Sequence, residues 1–226
     1  MTESIAFYLD PMCPYANQTA IWIREVRRLL PDGLDVEWRF FSLEAINQEA
    51  GKPSPWDRDW AYGIGQMQVG ALIRREHGQA GVDHWYETIS REFFESGRSC
   101  HVPDLHAEIV AEAGFAPDLV ERALADPTTK AEVRVEHEDA VERYGTHGVP
   151  TIVLPGDYAV FGPVVVPAPQ GDDALALWNL VRASARFPHF YELRHPKTAA
   201  DVRHIGGHFR TYLSTRAWKT ISNPAP

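Results

Sequence analysis

Apolar and polar positions in the first forty residues predict a strand, a helix and a second strand. The run SIAFYL at residues 4–9 is short and apolar, and Asp10-Pro11 stops it, as is typical of a buried strand. A helix is expected from Pro14, because proline suits a first turn and apolar residues then recur every three or four positions. The turn PDGL ends that helix, and DVEWRFFSL predicts the next strand. This order predicts a parallel pair in an α/β sheet.

From about residue 44 to 145 the pattern becomes helical. The stretch WDRDWAYGIGQMQVGALIRREHG places apolar residues on one helix face, and HWYETISREFF does the same. Pro103-Asp104 and Pro117-Asp118 are helix-start signals, and KAEVRVEHEDAVERYG closes the block as a long helix. Because a strand pattern resumes at once, we interpret this block as a helical insertion within a domain.

The strand pattern returns in GVPTIVLPGDYAVFGP. It predicts a hairpin with strands Thr151–Leu154 and Tyr158–Phe161 around a tight Pro-Gly-Asp turn. An amphipathic helix is expected in DDALALWNLVRASARF. The segment after Pro188 is mixed, and the only element expected there is a short amphipathic piece near Phe209–Trp218.

Composition narrows the classes of function. The 226 residues, 44% of them hydrophobic, suit one large domain or a small domain with an insertion. The net charge of −9, with both signs interspersed, argues against nucleic acid or an anionic membrane as a partner. The opening MTESIAFYLDP does not resemble a signal peptide, and no apolar run approaches the ~20 residues of a membrane span. Two cysteines indicate free thiols, so we expect a cytoplasmic location.

A lone cysteine, Cys13, stands where the first strand meets the first helix, in DPMCPYANQ. The amides of a helix N-terminus favour a thiolate, so we expect the pKa of Cys13 to lie below the ~8.5 of a free thiol and Cys13 to act as a nucleophile. A buried, inert thiol is the alternative. Ala16 occupies the place of the second cysteine in a Cys-X-X-Cys pair.

Other residues with reactive or aromatic side chains are weaker candidates. Cys100 is either incidental or a distant resolving thiol, and its spacing from His101 and His106 is a poor zinc pattern, so no metal site is expected. His147 is either a surface histidine or a group that stabilises the Cys13 thiolate. Four aromatic residues are either core residues or the walls of a pocket over Cys13: Trp56, Trp60, Trp85 and Tyr86.

The order of these elements resembles a thioredoxin-like fold with an inserted helical domain, as in the DsbA-like thiol oxidoreductases. The similarity is greatest to the branch with the mycothiol-dependent nitroreductase of actinobacteria, through DPMCPY, FSLEAIN, GVPTIV, FGPV, ALWNLV and FPHFYELR. It covers roughly residues 4–196. The resemblance implies a thioredoxin-like domain of residues 1–43 and 146–196, a helical insertion of residues 44–145 and a C-terminal tail of residues 197–226.

The resemblance also implies a set of site residues. Pro150 is expected to be cis and to face Cys13, with the Val149 backbone pairing with an incoming thiol substrate like an added strand. Pro14 and Tyr15 belong to the cysteine turn, where Tyr15 is expected to contact substrate, and Asn47 in SLEAIN matches an active-site asparagine of the nitroreductase. Ala16 departs from the family pattern, because a cysteine there would resolve a mixed disulfide.

A monothiol route through Cys13 is the first functional hypothesis. A low-molecular-weight thiol, mycothiol or glutathione, would then supply the second sulfur as co-substrate, and a disulfide or other small molecule would be the substrate. The second hypothesis is a transferase or isomerase like the kappa-class glutathione transferases, which activate the thiol without covalent attachment. The third is a redox-inactive binding module. The substrate and the oligomeric state stay open, with a homodimer as one candidate.

Overall fold

Two parallel strands joined by a long helix form the centre of the protein. The computed structural model describes residues 2–58 and 61–215. In it, β1 (Glu3–Leu9) and β2 (Leu34–Phe40) pair in parallel, from Glu3 opposite Leu34 to Leu9 opposite Phe40. Helix α1 (Pro14–Leu29) makes the crossover that a parallel pair requires. The strand, helix and strand predicted from the sequence are therefore present and paired as expected.

A hairpin completes a four-stranded mixed sheet. β3 (Thr151–Leu154) and β4 (Tyr158–Phe161) pair antiparallel and have the bounds expected from the sequence. β3 also pairs antiparallel with β1, which gives the strand order β2-β1-β3-β4. Because of this direction, the carboxyl end of β1, just before Cys13, lies beside the amino end of β3, just after Pro150.

Helices make up most of the chain between β2 and β3 and continue after β4. They are α2 (Leu43–Ile46), a 3₁₀ turn (Pro55–Asp57), α3 (Tyr62–Phe94), α4 (Pro103–Glu112), α5 (Leu119–Ala125), α6 (Pro127–Tyr144), α7 (Gly171–Ser184), α8 (Ala199–His208) and α9 (Arg210–Thr215). The sequence did not predict α8. The amphipathic piece expected near Phe209–Trp218 corresponds to α9 as far as Thr215, and Trp218 lies outside the described residues.

Helix α3 folds back on itself at Gly78. The backbone there has φ 67° and ψ −167°, a conformation open to glycine and strained for other residues. A Cβ atom built on Gly70 would come within 2.7 Å of Cζ3 of Trp85. Fifteen residues of straight helix would hold these positions ~22 Å apart. The two halves of α3 therefore pack against each other as a helical hairpin.

The core has two parts, one on each side of β1. Phe7 and Leu9 enter the larger cluster, which extends into the helical insertion, whereas Tyr8 points to a smaller cluster that contains Cys13. This division follows from the alternation of side chains along a strand. Among the described residues, no helix is long and apolar enough to cross a membrane.

Candidate active site around Cys13

Cys13 is the N-cap residue of α1. Its backbone is extended, with φ −93° and ψ 109°, and its N–H donates to the Asp10 carbonyl at 2.9 Å. The Ala16 N–H, one of the helix amides without an intrahelical partner, donates to the Cys13 Sγ at 3.4 Å. The side chain is only 5% exposed. The sulfur therefore lies at the helix N-terminus, as expected, but away from solvent.

The loop before β3 also contacts the Cys13 sulfur. The Val149–Pro150 peptide bond is cis, and the Cys13 thiol donates to the Val149 carbonyl at 3.5 Å across 136 positions of sequence. Two hydrogen bonds hold the loop, from the Thr151 hydroxyl to the Gly148 carbonyl and from the Gly162 N–H to the Pro150 carbonyl, both at 2.8 Å. The fold thus brings Cys13 and the Val149–Pro150 loop into contact.

Burial makes the Cys13 thiol a weak acid in this structure. Removal of the charged form from water raises its pKa to about 12, and the negative charge of Asp10 acts in the same direction. The N–H groups of Ala16 and Tyr15 act against these effects by favouring the thiolate. The expectation of a pKa below the free-thiol value is therefore wrong for this state, because the loss of hydration outweighs the helix amides.

Asp10 holds the cysteine turn in place, and the sequence analysis did not single it out. Its fully buried carboxyl group accepts the Met12 N–H at 2.9 Å and the Leu43 N–H at 2.7 Å, so it joins the turn to the start of α2. Burial raises its pKa to about 7, although both N–H groups favour the carboxylate. The sequence offered one signal for this role: Asp10 follows a predicted buried strand and stands directly before Pro-X-Cys.

Two predicted substrate contacts have different surroundings. Tyr15 is half-buried, and its ring meets that of Phe209 edge-on at 5.7 Å between centroids. Asn47 is exposed at the end of α2, where its side-chain amide donates to the Leu43 carbonyl at 2.9 Å. The hydrophobic cluster of Cys13 includes Tyr15 at its edge, and Ile46, the neighbour of Asn47, also packs against it.

The aromatic residues proposed for a pocket fall into different places. Trp85 and Tyr86 are fully buried in the larger core, so they are core residues. Trp56 is half-buried and lies 5.7 Å from the ring of His137, between centroids. Trp60 lies outside the described residues. Burial therefore favours the core interpretation for Trp85 and Tyr86. Burial and the charges of Cys13 and Asp10 raise the pKa of Tyr86, so this core residue lies near the cysteine turn.

Two of the histidines considered from the sequence, His106 and His147, have partners other than Cys13. His147 is exposed and packs on Phe161, with 4.7 Å between ring centroids. His106 is fully buried between the Trp85 indole N–H and the Cys100 carbonyl. Within residues 2–58 and 61–215, no group of three or more His, Cys, Asp and Glu side chains is placed to hold a metal ion.

A histidine that the sequence analysis did not select borders the site. The Nδ1 of His137 accepts the Ser42 N–H at 3.3 Å, and its ring lies 4.6 Å from that of Phe41, which belongs to the Cys13 cluster. Burial lowers the pKa of His137, so the neutral ring is favoured with its proton on Nε2. No motif marked this residue, because its position depends on packing between α6 and the end of β2.

A family comparison agrees with this geometry. The sequence model of the family of the mycothiol-dependent nitroreductase Rv2466c matches residues 12–195, which is most of the chain. The protein belongs to this Rv2466c-like family. A curated relative, the uncharacterized protein Rv2286c of Mycobacterium tuberculosis, is 44% identical over 219 residues, which cover 97% of this chain and 93% of the relative.

Solved structures confirm the DsbA-like thioredoxin fold of this family member. The probable DsbA oxidoreductase SCO1869 of Streptomyces coelicolor is similar with a TM-score of 0.60 at 19% identity, over 87% of this chain and 95% of that structure. The cytosolic disulfide reductase DsbM of Pseudomonas aeruginosa, solved with GSH, has a TM-score of 0.54 at 15% identity, over 80% and 99% of the two chains. At these identities the likeness concerns the fold.

The Rv2466c-like chain has no second thiol in the cysteine turn. Ala16 is fully buried beside Cys13, three positions along the helix. Cys100 lies in the larger core, where its thiol donates to the Ile89 carbonyl at 3.4 Å, while Cys13 belongs to the smaller cluster. Burial raises the pKa of Cys100 to about 12 as well. Both cysteines are free thiols.

Proposed function

We propose that this protein is a thiol-dependent oxidoreductase that acts by a monothiol route through Cys13. The observation that carries the proposal is the position of the sulfur, between the Ala16 N–H at the start of α1 and the Val149 carbonyl of the cis-proline loop. The absence of sulfur at position 16 and the separate burial of Cys100 favour a second thiol from outside the chain.

The proposed reaction is a pair of thiol–disulfide exchanges. The Cys13 thiolate attacks one sulfur of a disulfide, so that a Cys13 mixed disulfide forms and the other half leaves as a thiolate. A low-molecular-weight thiolate then attacks the mixed disulfide, which restores Cys13 and releases a new disulfide. These two steps consume one small thiol and convert the first disulfide into one free thiol and one mixed disulfide with the small thiol. A second small thiol that attacks this mixed disulfide completes the reduction, so that two small thiols supply the two electrons and leave as their own disulfide.

Loss of the thiol proton would also prepare the loop for substrate. In the protonated state, the Val149 carbonyl accepts the Cys13 S–H. A thiolate has no proton to donate, so its formation would free this carbonyl for an incoming backbone or amide N–H. Pro150 would fix the direction of the carbonyl, and Pro14 and Tyr15 would border the attacking sulfur. Asn47 is exposed, and its side-chain amide would release the Leu43 carbonyl to donate to substrate.

Mycothiol or glutathione is the proposed co-substrate. Membership in the family of a mycothiol-dependent nitroreductase supports mycothiol, and the structure of DsbM with GSH supports a small thiol in this fold. We propose the cytoplasm as the location, because both cysteines are free and the route consumes a reduced thiol. A homodimer remains a proposal.

A second candidate function uses the Cys13 region without covalent attachment. Cys13 acts here as a neutral hydrogen-bond donor with a pKa of about 12, which suits a residue that orients a bound thiol as in kappa-class transferases or isomerases. In that mechanism the co-substrate sulfur would be the nucleophile. Cys13→Ser would then retain a donor and much of the activity, whereas the covalent route would lose all of it.

The deciding experiment is intact mass after incubation with glutathione disulfide or mycothiol disulfide. Wild type and Cys100→Ser should each gain the mass of one small thiol, and Cys13→Ser should gain none. Addition of a second small thiol should remove the adduct. Accumulation of adduct only in Cys100→Ser would identify Cys100 as a resolving thiol and overturn the monothiol route. Absence of any adduct would favour the second candidate, or a binding module if thiol-dependent turnover is also absent.

A further inference from the structure

The C-terminal segment bridges the cysteine turn and the helical insertion. It follows a connection in which every residue from 186 to 200 is exposed. Helix α8 begins with a capping box between Thr198 and Asp201, and α9 follows it directly. The family match ends at residue 195, so it does not include either helix.

Three apolar residues with helical spacing attach this segment to the rest of the molecule. Ile205 is half-buried against the larger core, and Phe209 and Tyr212 are 5% and 6% exposed. The residues at i, i+4 and i+7 fall on one face. Val202 and Leu213, in the same two helices, are instead exposed. The attachment therefore rests on one narrow face.

One end of the attachment is at the active site. The Phe209 ring packs edge-on against Tyr15, which is two positions from Cys13 and near enough for the charge of a Cys13 thiolate to affect it. Tyr15 also lies at the edge of the Cys13 cluster. Displacement of Phe209 would uncover one side of Tyr15 and leave it freer to move beside the sulfur.

The other end of the attachment is at the end of α3. The Tyr212 ring lies 5.3 Å from that of Phe93 and 5.1 Å from that of Phe94, between centroids. Gly97, just beyond α3, has φ +72°, and a Cβ there would come within 2.9 Å of Thr215 Cγ2 and 3.1 Å of Thr211 Cγ2. The close approach of α9 therefore depends on glycine at position 97.

We propose that α8 and α9 form a strap that selects substrates for Cys13 by size. In the closed position, Phe209 holds Tyr15 and admits small-molecule disulfides to the sulfur while it excludes the disulfides of folded proteins. The long exposed connection and the narrow apolar attachment allow the strap to detach without unfolding the core. This inference rests on the proposed function, and it assigns that function to small-molecule disulfides.

The strap itself is tested by labelling of Cys13 with reagents of two sizes. Labelling by iodoacetamide and by a bulky fluorescein maleimide is followed at the Cys13 peptide by mass spectrometry. Phe209→Ala should raise the rate constant for the bulky reagent by about tenfold, because loss of a docking contact shifts the equilibrium from the closed to the open position. The rate constant for iodoacetamide should change by less than about twofold. Leu213→Ala, a control on the exposed face of α9, should change neither.

A second variant keeps the test decisive if Phe209→Ala does not fold. Tyr212→Ala leaves Phe209 in the sequence but removes the contact with Phe93 and Phe94. It should therefore also raise the rate constant for the bulky reagent more than the rate constant for iodoacetamide. Far-UV circular dichroism checks that each variant is folded. Unchanged rate constants, or equal increases with both reagents, would overturn the strap, because burial or acidity of the thiol would then explain any change.

Substrate exchange tests the size selection separately from the proposed function. Wild type should exchange with glutathione disulfide faster than with insulin, and Phe209→Ala should narrow this ratio by about tenfold. A ratio that is the same in both proteins would overturn the assignment to small-molecule disulfides. If wild type reacts with neither disulfide, the proposed function fails, whereas the labelling result still decides whether the strap exists.

Discussion

Two opposing effects act on the sulfur of Cys13. The first turn of α1 offers amide N–H groups that favour a thiolate, and the Ala16 N–H makes this contact at 3.4 Å. Burial among Tyr8, Phe41 and Val149 disfavours any charge, and it raises the pKa to about 12. The enclosed thiol is therefore a poor nucleophile at neutral pH, and it becomes more reactive as solvent or substrate reaches it.

The first prediction concerns the pH dependence of Cys13 alkylation. Because the pKa of the enclosed thiol is about 12, the rate constant with iodoacetamide should rise with pH through ~8.5 and show no plateau up to about pH 10. Peptide mass spectrometry assigns the label to Cys13 and not to Cys100. A plateau below ~8.5 in the folded protein would contradict the prediction and indicate that an opened state, with the helix amides dominant, carries the reactivity.

The second prediction concerns position 16. Ala16→Cys should restore an internal partner, since positions three apart at a helix start bring two sulfurs within bridging range. A mixed disulfide with glutathione should then have a lifetime at least about tenfold shorter than in wild type, because the internal thiol attacks at high effective concentration. Time-resolved intact mass measures both the decay and the loss of two hydrogens.

A matched substitution tests whether the new sulfur causes this effect. Ala16→Ser has similar size and cannot attack a disulfide, so its adduct should persist as in wild type. Equal lifetimes in Ala16→Cys and Ala16→Ser would contradict the assignment of position 16 as the resolving position.

Bends and turns decide how the helices present their residues. Asp10 fixes the cysteine turn to α2 through two backbone N–H groups, and Gly78 folds α3 into two packed halves. The bend brings Trp85 against Gly70 and allows the larger core to continue into the insertion. Neither the contacts of Asp10 nor the bend at Gly78 can be predicted from the helix pattern alone.

The third prediction concerns the α3 bend. Gly78→Ala should lower the free energy of unfolding by ~1–3 kcal/mol, because φ 67° with ψ −167° strains any residue that has a Cβ. Urea denaturation followed by circular dichroism measures the change. Gly207→Ala is the control: it lies in α8, and a Cβ there meets nothing within 4 Å. No destabilisation by Gly78→Ala would show that the bend does not require glycine.

For the whole molecule, two fully buried groups give stability opposite dependences on pH. Burial raises the pKa of Asp10 to about 7, from roughly 3.9 in an unfolded chain. Its contribution is present below about pH 3.9 and lost as the pH rises through 7. Burial lowers the pKa of His106 to about 4, from roughly 6.5, so its contribution is present above about pH 6.5 and lost as the pH falls through 4.

The fourth prediction isolates the histidine. Neutral His106 donates from Nδ1 to the Cys100 carbonyl and accepts the Trp85 indole N–H at Nε2, and protonation removes the second bond. His106→Gln keeps an amide donor and acceptor without titration near neutral pH. Between pH 7.5 and 5, wild type should lose about 1–2 kcal/mol more than this variant in the free energy of unfolding, measured in urea. Parallel losses in the two proteins would contradict the pKa direction given for His106.

The comparison between the two proteins also removes the contribution of Asp10. Because Asp10 is the same in both, its opposite slope cancels in the difference between their unfolding free energies. A wild-type curve alone would give only the sum of the two effects. The variant is therefore needed to assign the acid side of the profile to His106.

The sequence alone determined most elements and their order. Parallel strands around α1 and the hairpin Thr151–Leu154 and Tyr158–Phe161 follow from local periodicity and turn residues. Local pattern also placed Cys13 at a helix start, because strand ends and helix starts are properties of short stretches of chain. The resemblance to the DsbA-like family, and not local pattern, named Val149 and Pro150 as partners of Cys13.

Only the tertiary structure decided the environment of the sulfur. Its weak acidity depends on residues from β1, α6 and β3 and on Phe41, just after β2, which together enclose it, and the sequence does not state how closely they pack. Asp10 and His137 became neighbours of the site through the ends of β1 and β2 and the face of α6. The contact between Phe209 and Tyr15 could not be predicted from the sequence either, since a contact between distant parts of a chain depends on how all the residues between them fold. Burial and long-range contact are collective properties, and local pattern therefore could not supply them.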